Sequence, residues 1–401
     1  MLQRVFKAFH YRDFRILWIG ACTSTIGTWM QEVAQNWLVL QLTNSPFLLG
    51  VDAFLGDIPI FLFSLVGGVL ADRVDRRFIL IGSQVVQMIS AALLATLIWT
   101  GHVQIWHILT LSFVVGTAQS FGGPAYSALV PSLVEKQDVP NAIALNSIQF
   151  NLARVIGPVI GGLAMKYVGS AWCFALNSLS FLAVILSLLM LKINFSPPRT
   201  GESIMTSMKQ GFTFIRAQGA MSTLILIAFC MTLLGIPTIT FLPVFAKIVF
   251  GRGAMTYTWF LAASGVGSIT GALTVAWMGD IHNKGRVALT ALVAMGVGMV
   301  GFAQSRSIVL SCFMLFFTGA VLMCAFAMIA SLVQLITPND MRGRVMSVYN
   351  VAFRGGMPFG SILTGWLVPM LTAPTVLSIN GIVLLSLGLY FLLVQRRVAE
   401  L

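Results

Sequence analysis

Apolar runs of about 20 residues follow one another along the chain, broken by short turns of charged residues, glycine and proline. They predict helices near 16–41, 46–71, 78–99, 105–128, 141–165 and 170–191, then near 219–246, 255–279, 286–304, 308–334, 345–370 and 374–395. Each is long enough to cross a hydrocarbon core of ~30 Å as a helix. The period-2 alternation of a barrel strand is missing, so helices are the spanning form left. One connection is longer, "KINFSPPRTGESIMTSMKQGFTFIRA", and is rich in Pro, Ser and Thr. The expected fold is all-α and integral to the membrane, with twelve transmembrane helices in two pseudo-symmetric six-helix bundles around a central cavity. The first bundle is expected at 1–192, a linker at 193–216 and the second bundle at 217–401.

The first run departs from this apolar rule. Thr25, Trp29, Glu32 and Asn36 are spaced by 4, 3 and 4 residues, one helical face, and Thr28, Gln31 and Gln35 widen it. A membrane helix polar over nearly half its circumference is expected to line water. That face, with Gln119 and Arg354, is therefore the candidate wall of a substrate cavity. Aromatic residues such as Trp37, Phe121 and Tyr126 suit a substrate with apolar surface, or simply face lipid.

Composition agrees. The 401 residues are 58% hydrophobic and 9% charged, with a mean hydropathy of +0.91; a soluble domain carries about 25% charge. The five cysteines lie inside apolar runs without paired spacing, and the histidines are scattered. No metal site, cofactor or enzymatic cluster is expected. The basic, aromatic start "MLQRVFKAFHYRDFRILW" lacks the short apolar core and cleavage site of a signal peptide, so the first run is expected to be retained.

Charge then sets orientation. Of 24 lysines and arginines, all fall on one face except Lys166, Lys247, Arg252 and Arg306, and the in-span Arg154 and Arg354. The positive-inside rule puts that face and both termini in the cytoplasm of a multi-pass inner-membrane protein. The net charge of +12 needs no nucleic-acid partner; topology and anionic lipid account for it.

The two halves echo one another. "LNSIQFNLARVIGPVIGG" (145–162) aligns with "VMSVYNVAFRGGMPFGSI" (345–362), matching Arg154 with Arg354 and Pro158 with Pro358. "GALTVAWMGDIHNKGR" (271–286) echoes "GGVLADRVDRR", with Asp280 in the place of Asp72 and Arg286 for a distal arginine. Repeated halves around a central site are a transporter architecture.

"GVLADRVDRR" (68–77) resembles the signature loop of the major facilitator superfamily. "GPVIGG" (157–162) is similar to the Gly-Pro motif of its drug–proton antiporters. "TWMQEVAQNWLVLQLTNSP" and "LVPSLVEKQDVPNAIALNS" resemble its bacterial branch of enterobactin and macrolide exporters. The resemblance implies a conformational latch of Gly68, Asp72, Arg73, Arg76, Arg77, Asp280 and Arg286 that holds the cytoplasmic side shut. Gly68 would let its helix approach a neighbour, and Asp72 would cap or oppose a helix terminus. Positive-inside anchoring alone is the simpler account of the arginines. Gly157, Pro158, Gly161 and Gly162 form a small-residue face for close packing, or only a kink.

Charges inside spans cost ~2.5–3.5 kcal/mol each on insertion scales, which makes Glu32, Asp52, Asp57, Arg154 and Arg354 notable. Glu32, Asp57 and Arg154 are the proton-coupling candidates, with a hydrogen-bonded structural role as the alternative for Glu32. In the superfamily fold the second and fifth spans are neighbours, so Asp57 and Arg154 can pair, as a structural pair or as a switch. Asp52 is expected to snorkel outward. Arg354 lacks an acidic partner in its half, and either receives an anionic substrate group or bonds backbone carbonyls. The expectation is a proton-coupled exporter of small amphipathic compounds, drug-like or siderophore-like, working by rocking of its halves and monomeric as the family implies. An uncoupled facilitator, a lipid or lysolipid flippase, and a non-transporting membrane sensor or assembly partner are the alternatives.

Overall fold

The computed structural model describes residues 6–192, 204–279, 283–338 and 341–400, with no side-chain description for Asp72 and 204–207. Among the described residues the structure is helical without strands. The helices of the first set are α1 (Arg12–Thr43), α2 (Pro46–Arg73), α3 (Arg76–Trp99), α4 (Ile105–Leu129), α5 (Val139–Tyr167) and α6 (Ser170–Met190). Helix α7 (Ile204–Ala217) follows, within the segment expected to be a plain linker. The second set is α8 (Gly219–Gly235), α9 (Ala254–Met278), α10 (Lys284–Gln304), α11 (Ile308–Leu335), α12 (Arg342–Leu371) and α13 (Ala373–Leu393). Beyond α8 the seventh span continues as short pieces, Pro237–Thr240, Leu242–Val244 and a π turn at Phe245–Val249. Pro237 and Pro243 lack the amide proton that a continuous helix needs there, so the ladder breaks twice.

Nine of the segments are each long and apolar enough to cross a membrane, among the described residues. The other three long helices, α1, α4 and α12, are interrupted by polar residues or glycines. With them the chain has its twelve spans.

The chain divides into two compact units, Met1–Thr43 with Leu55–Gly201, and Asn44–Phe54 with Glu202–Leu401. In the first, α1 packs on α5 and α6, and α3 on α4 and α6. In the second, α8 packs on α12 and α13, and α10 on α11 and α13. The same four pairings recur at corresponding positions, so the repeat seen in sequence is a repeat of packing. Residues Asn44–Phe54, which hold the first turns of α2, belong to the second unit. There a Cβ on Gly50 would stand 2.6 Å from the Ser361 carbonyl oxygen of α12, and the Phe54 and Phe359 rings lie 6.2 Å apart.

Each unit also packs residues from near one end of the chain into its basic end. In the first, a 3-10 turn at Lys7–His10 buries Ala8 completely among Phe14, Leu17, Leu133, Ala142 and Leu188. Lys7 Nζ lies 2.7 Å from Asp138 Oδ1, Tyr11 donates to Asp138 Oδ2 at 2.8 Å, and the Ala8 amide donates to Asn141 Oδ1 at 2.9 Å. The bond to Asp138 holds the Tyr11 phenol above its ordinary pKa. In the second unit, Val398 and Ala399 are buried in the core with Ile215, Leu289 and Val345.

Candidate functional site

The site of interest lies within the first unit, on the seam between α1 and α5. Small residues bring the two backbones together. A Cβ on Gly157 would meet Trp29 Cβ at 2.5 Å and the Ile26 carbonyl oxygen at 2.8 Å; one on Gly161 would meet the Met30 carbonyl oxygen at 2.9 Å. Gly157, Pro158, Gly161 and Gly162 are all buried. Without a hydrophobic drive between helices in lipid, this close approach is what joins them.

One turn from that contact, Arg154 rises over the indole of Trp29, its Cζ 5.8 Å from the ring centroid. Phe150 stands edge-on to the same ring at 5.8 Å. The carboxylate whose field reaches Arg154 is Glu32, three residues along α1 from Trp29. Arg154 and Trp29 are half-buried, while Glu32 is exposed. The group therefore combines a guanidinium, two aromatic faces and an accessible carboxylate. It can hold a planar or anionic group against Trp29, and Glu32 can exchange a proton with water. Asp57 is half-buried on α2, whose Gly56 carbonyl abuts Gly116 of α4.

The polar stripe of α1 has a second occupation. Gln149 of α5 donates to Thr25 Oγ1 at 2.9 Å, Asn177 of α6 to Gln31 Oε1 at 2.7 Å, and Gln35 to Ser112 Oγ of α4 at 3.0 Å. Much of what was expected to face water is spent on bonds between helices, because α1 is the hub that α4, α5 and α6 all touch. Asn36 and Gln119 are half-buried. Tyr126 extends the network from α4, donating to Asn146 Oδ1 at 2.7 Å.

Several expected residues are placed differently. Gly68 is not the close-approach glycine: open space surrounds the point where its Cβ would be, whereas one on Gly67 would collide with the Ser120 carbonyl oxygen. The cap of α3 is Asp75, which accepts from the Arg77 amide at 2.9 Å. The side chain of Asp72, and Asp280 altogether, lie outside the described residues. Arg76 donates to the Ala71 carbonyl oxygen at 3.1 Å and to that of Ala128 at 2.8 Å. It thus ties the ends of α2 and α4, where the helix dipole favours a cation. Arg73 and Arg286 are exposed.

Asp52 does not snorkel. It is 3% exposed, because the turns around it, with Leu49 and Gly50, are packed within the second unit. The sequence reading expected it to reach outward; its position one turn from the buried Leu49 was the signal against that. Arg354 is exposed on α12.

Twelve spans in two repeated six-helix sets, with a charged and aromatic group inside one of them, define a membrane transporter of the major facilitator type. The chain matches the profile of the transmembrane secretion effector family over residues 4–401 and belongs to that family. It is 27% identical to the enterobactin exporter EntS of Shigella boydii serotype 4 over 389 residues, 95% of this chain and 91% of that one. Identity to the enterobactin exporter EntS of Escherichia coli O139:H28 is 26% over the same length and the same shares. Among solved structures, the nucleoside transporter NupG superposes with a TM-score of 0.73 at 16% identity, covering 95% of this chain and 98% of that one. A D-xylose–proton symporter gives 0.75 at 14%, covering 95% and 97%. These last two share the fold.

Proposed function

We propose that this protein is a proton-coupled exporter of small amphipathic compounds, drug-like or siderophore-like, in a bacterial inner membrane with both termini cytoplasmic. The observation that carries the reading is the accessible Glu32 beside Arg154 and Trp29. Protonated Glu32 frees Arg154 and the indole for an anionic or aromatic substrate; ionised Glu32 competes with that substrate for the guanidinium. The two species thus exclude one another at one site, which is what antiport requires. Asp57 is the second proton carrier. Bundles 1–192 and 217–401, joined through 193–216, rock as bodies about the site, and the loop of Asp72, Arg73, Arg76 and Arg77 with Asp280 and Arg286 latches them. Export is favoured by the similarity to proteins named as enterobactin exporters, and the working form is a monomer.

The test uses inverted vesicles with an acid interior and a pH-sensitive dye, to which amphiphiles and siderophores are added. Substrate-dependent loss of the gradient is expected in the wild type and is expected to vanish in Glu32→Gln and in Asp57→Asn. Full, pH-independent transport by Glu32→Gln overturns proton coupling at this site.

A further inference from the structure

Among the described residues, helix α7 is the one long helix that is not a span, and its two faces differ in kind. Gly211, Phe214 and Ile215 turn inward. A Cβ on Gly211 would stand 2.6 Å from the Arg344 carbonyl oxygen in the first turn of α12. Ile215 is 5% exposed within the core of the second unit, and Phe214 packs against it. The helix ends at a fixed point, where the Ile215 carbonyl accepts from the Gln218 amide at 3.1 Å and from Ser222 Oγ at 2.7 Å.

The outward face has Lys209, Phe212 and Arg216 at spacings of 3 and 4, within one narrow stripe of the helix. All three are exposed, and Phe212 is 57% exposed. Thr213 beside them bonds back to the Lys209 carbonyl at 2.9 Å. The segment from Gly219, long and apolar enough to cross a membrane, starts three residues after Arg216, so the stripe ends where that segment begins. Further cations gather at the same end. Arg342 is exposed in the first turn of α12, and Arg397 Nη1 lies where a Cβ of Gly219 would point. The described carboxylate nearest in sequence to Arg397 is Glu400.

We infer that the outward stripe of α7, Lys209–Phe212–Arg216, is a binding surface for anionic phospholipid headgroups. An aromatic ring flanked by cations on a helix fixed at the membrane surface is the arrangement that anionic lipid recognises: the ring enters the acyl boundary and the cations meet phosphate. A soluble acidic partner would satisfy Lys209 and Arg216 but leave Phe212 unpaid for by any apolar surface at the edge of a bilayer. The inference is independent of what the protein transports.

Native mass spectrometry of the full-length protein in detergent, titrated with phosphatidylglycerol or with phosphatidylcholine, tests it. Preferential retention of phosphatidylglycerol is expected. Lys209→Gln combined with Arg216→Gln should weaken that binding roughly 10- to 30-fold, and Phe212→Ser should weaken binding of both lipids by a smaller factor. Arg306→Gln, an exposed cation in a different turn, should change neither. Unaltered phosphatidylglycerol binding in the double variant overturns the inference, as does an equal loss in Arg306→Gln. Hydrogen exchange of the wild type in nanodiscs needs no variant: α7 amides must be slower in phosphatidylglycerol than in phosphatidylcholine. Equal exchange in both lipids overturns the inference too.

Discussion

The α1–α5 seam of the first unit and the α8–α12 seam of the second rest on one kind of backbone contact but carry different chemistry. Gly157 and Gly161 meet Ile26, Trp29 and Met30 of α1; Gly356 and Gly360 meet Phe229, Thr232 and Leu233 of α8. Thr232 stands where Trp29 does, and three residues on, Gly235 stands where Glu32 does. Both seams keep an arginine, yet at different angles. Arg154 is three residues before Gly157 and shares its helical face, so it reaches Trp29. Arg354 is two residues before Gly356, about 200° around the helix from it at 100° per residue, and is exposed. The glycine contact is therefore the scaffold that the repeat conserves, and the charge is an addition to one copy. One residue of offset separates a half-buried guanidinium over an indole from a surface group.

The comparison breaks first at the glycines. Gly157→Leu and Gly360→Leu should each cost roughly 3 kcal/mol, the upper part of the overpacking range, read as lost thermal stability in detergent. Gly68→Ala should be neutral or stabilising by up to about 1 kcal/mol, since its surroundings are open and alanine favours the helix. Equal losses at Gly68 and Gly360 would mean the seams are not close-packed.

A second effect separates the two arginines. Arg154→Lys should lower transport about 10-fold or more, because an ammonium replaces a planar guanidinium over the indole. Arg354→Lys should change it less than about 2-fold, the ordinary tolerance of an exposed cation. Next in size, Trp29→Ala should weaken substrate binding between roughly 2- and 30-fold, the span of a cation–π contact from wet to dry settings. Thr232→Ala should leave it within about 2-fold, as fits the absence of that contact.

The smallest effect concerns the clip at the basic end of the first unit, formed by Lys7, Ala8 and Tyr11 on Asp138 and Asn141. Its Tyr11 phenol binds its proton more tightly folded than unfolded, so the clip contributes fully below pH 10 and is lost as pH rises through the raised value. Melting temperatures of wild type and Tyr11→Phe should differ most below pH 10 and draw together as the pH is raised above it. Curves that stay parallel would remove Tyr11 from the account.

Much of this architecture was legible from the chain. Hydropathy located all twelve spans to within a few residues, because lipid imposes a simple rule on length and polarity. It missed α7, whose apolar residues answer to a protein core rather than to lipid, and the breaks at Pro237 and Pro243, which leave hydropathy unchanged. The seam glycines of α5 were legible as a small-residue pattern. The α1 stripe was legible as polar but ambiguous in cause: a Gln that bonds α6 and a Glu that meets water look alike in one dimension. Gly67 against Gly68 and the angle of Arg354 both turned on single-residue register, which a motif match does not resolve. Asp52 was expected to snorkel, yet it is buried, because the turns around it are packed within the second unit.

The glycine seams carry one more consequence, in entropy. A glycine has no rotamers to freeze, whereas each leucine that becomes ordered at a helix interface gives up about 0.5–1 kcal/mol of side-chain freedom. At Gly157, Gly161, Gly356 and Gly360 each contact presents no side chain from its own helix. Such joints lose little to side-chain disorder on warming, and each has a single geometry to return to. Two helices joined in this way form a stiff unit, the mechanical property that a body carrying Arg154 over Trp29 must have if it is to move without disturbing that contact.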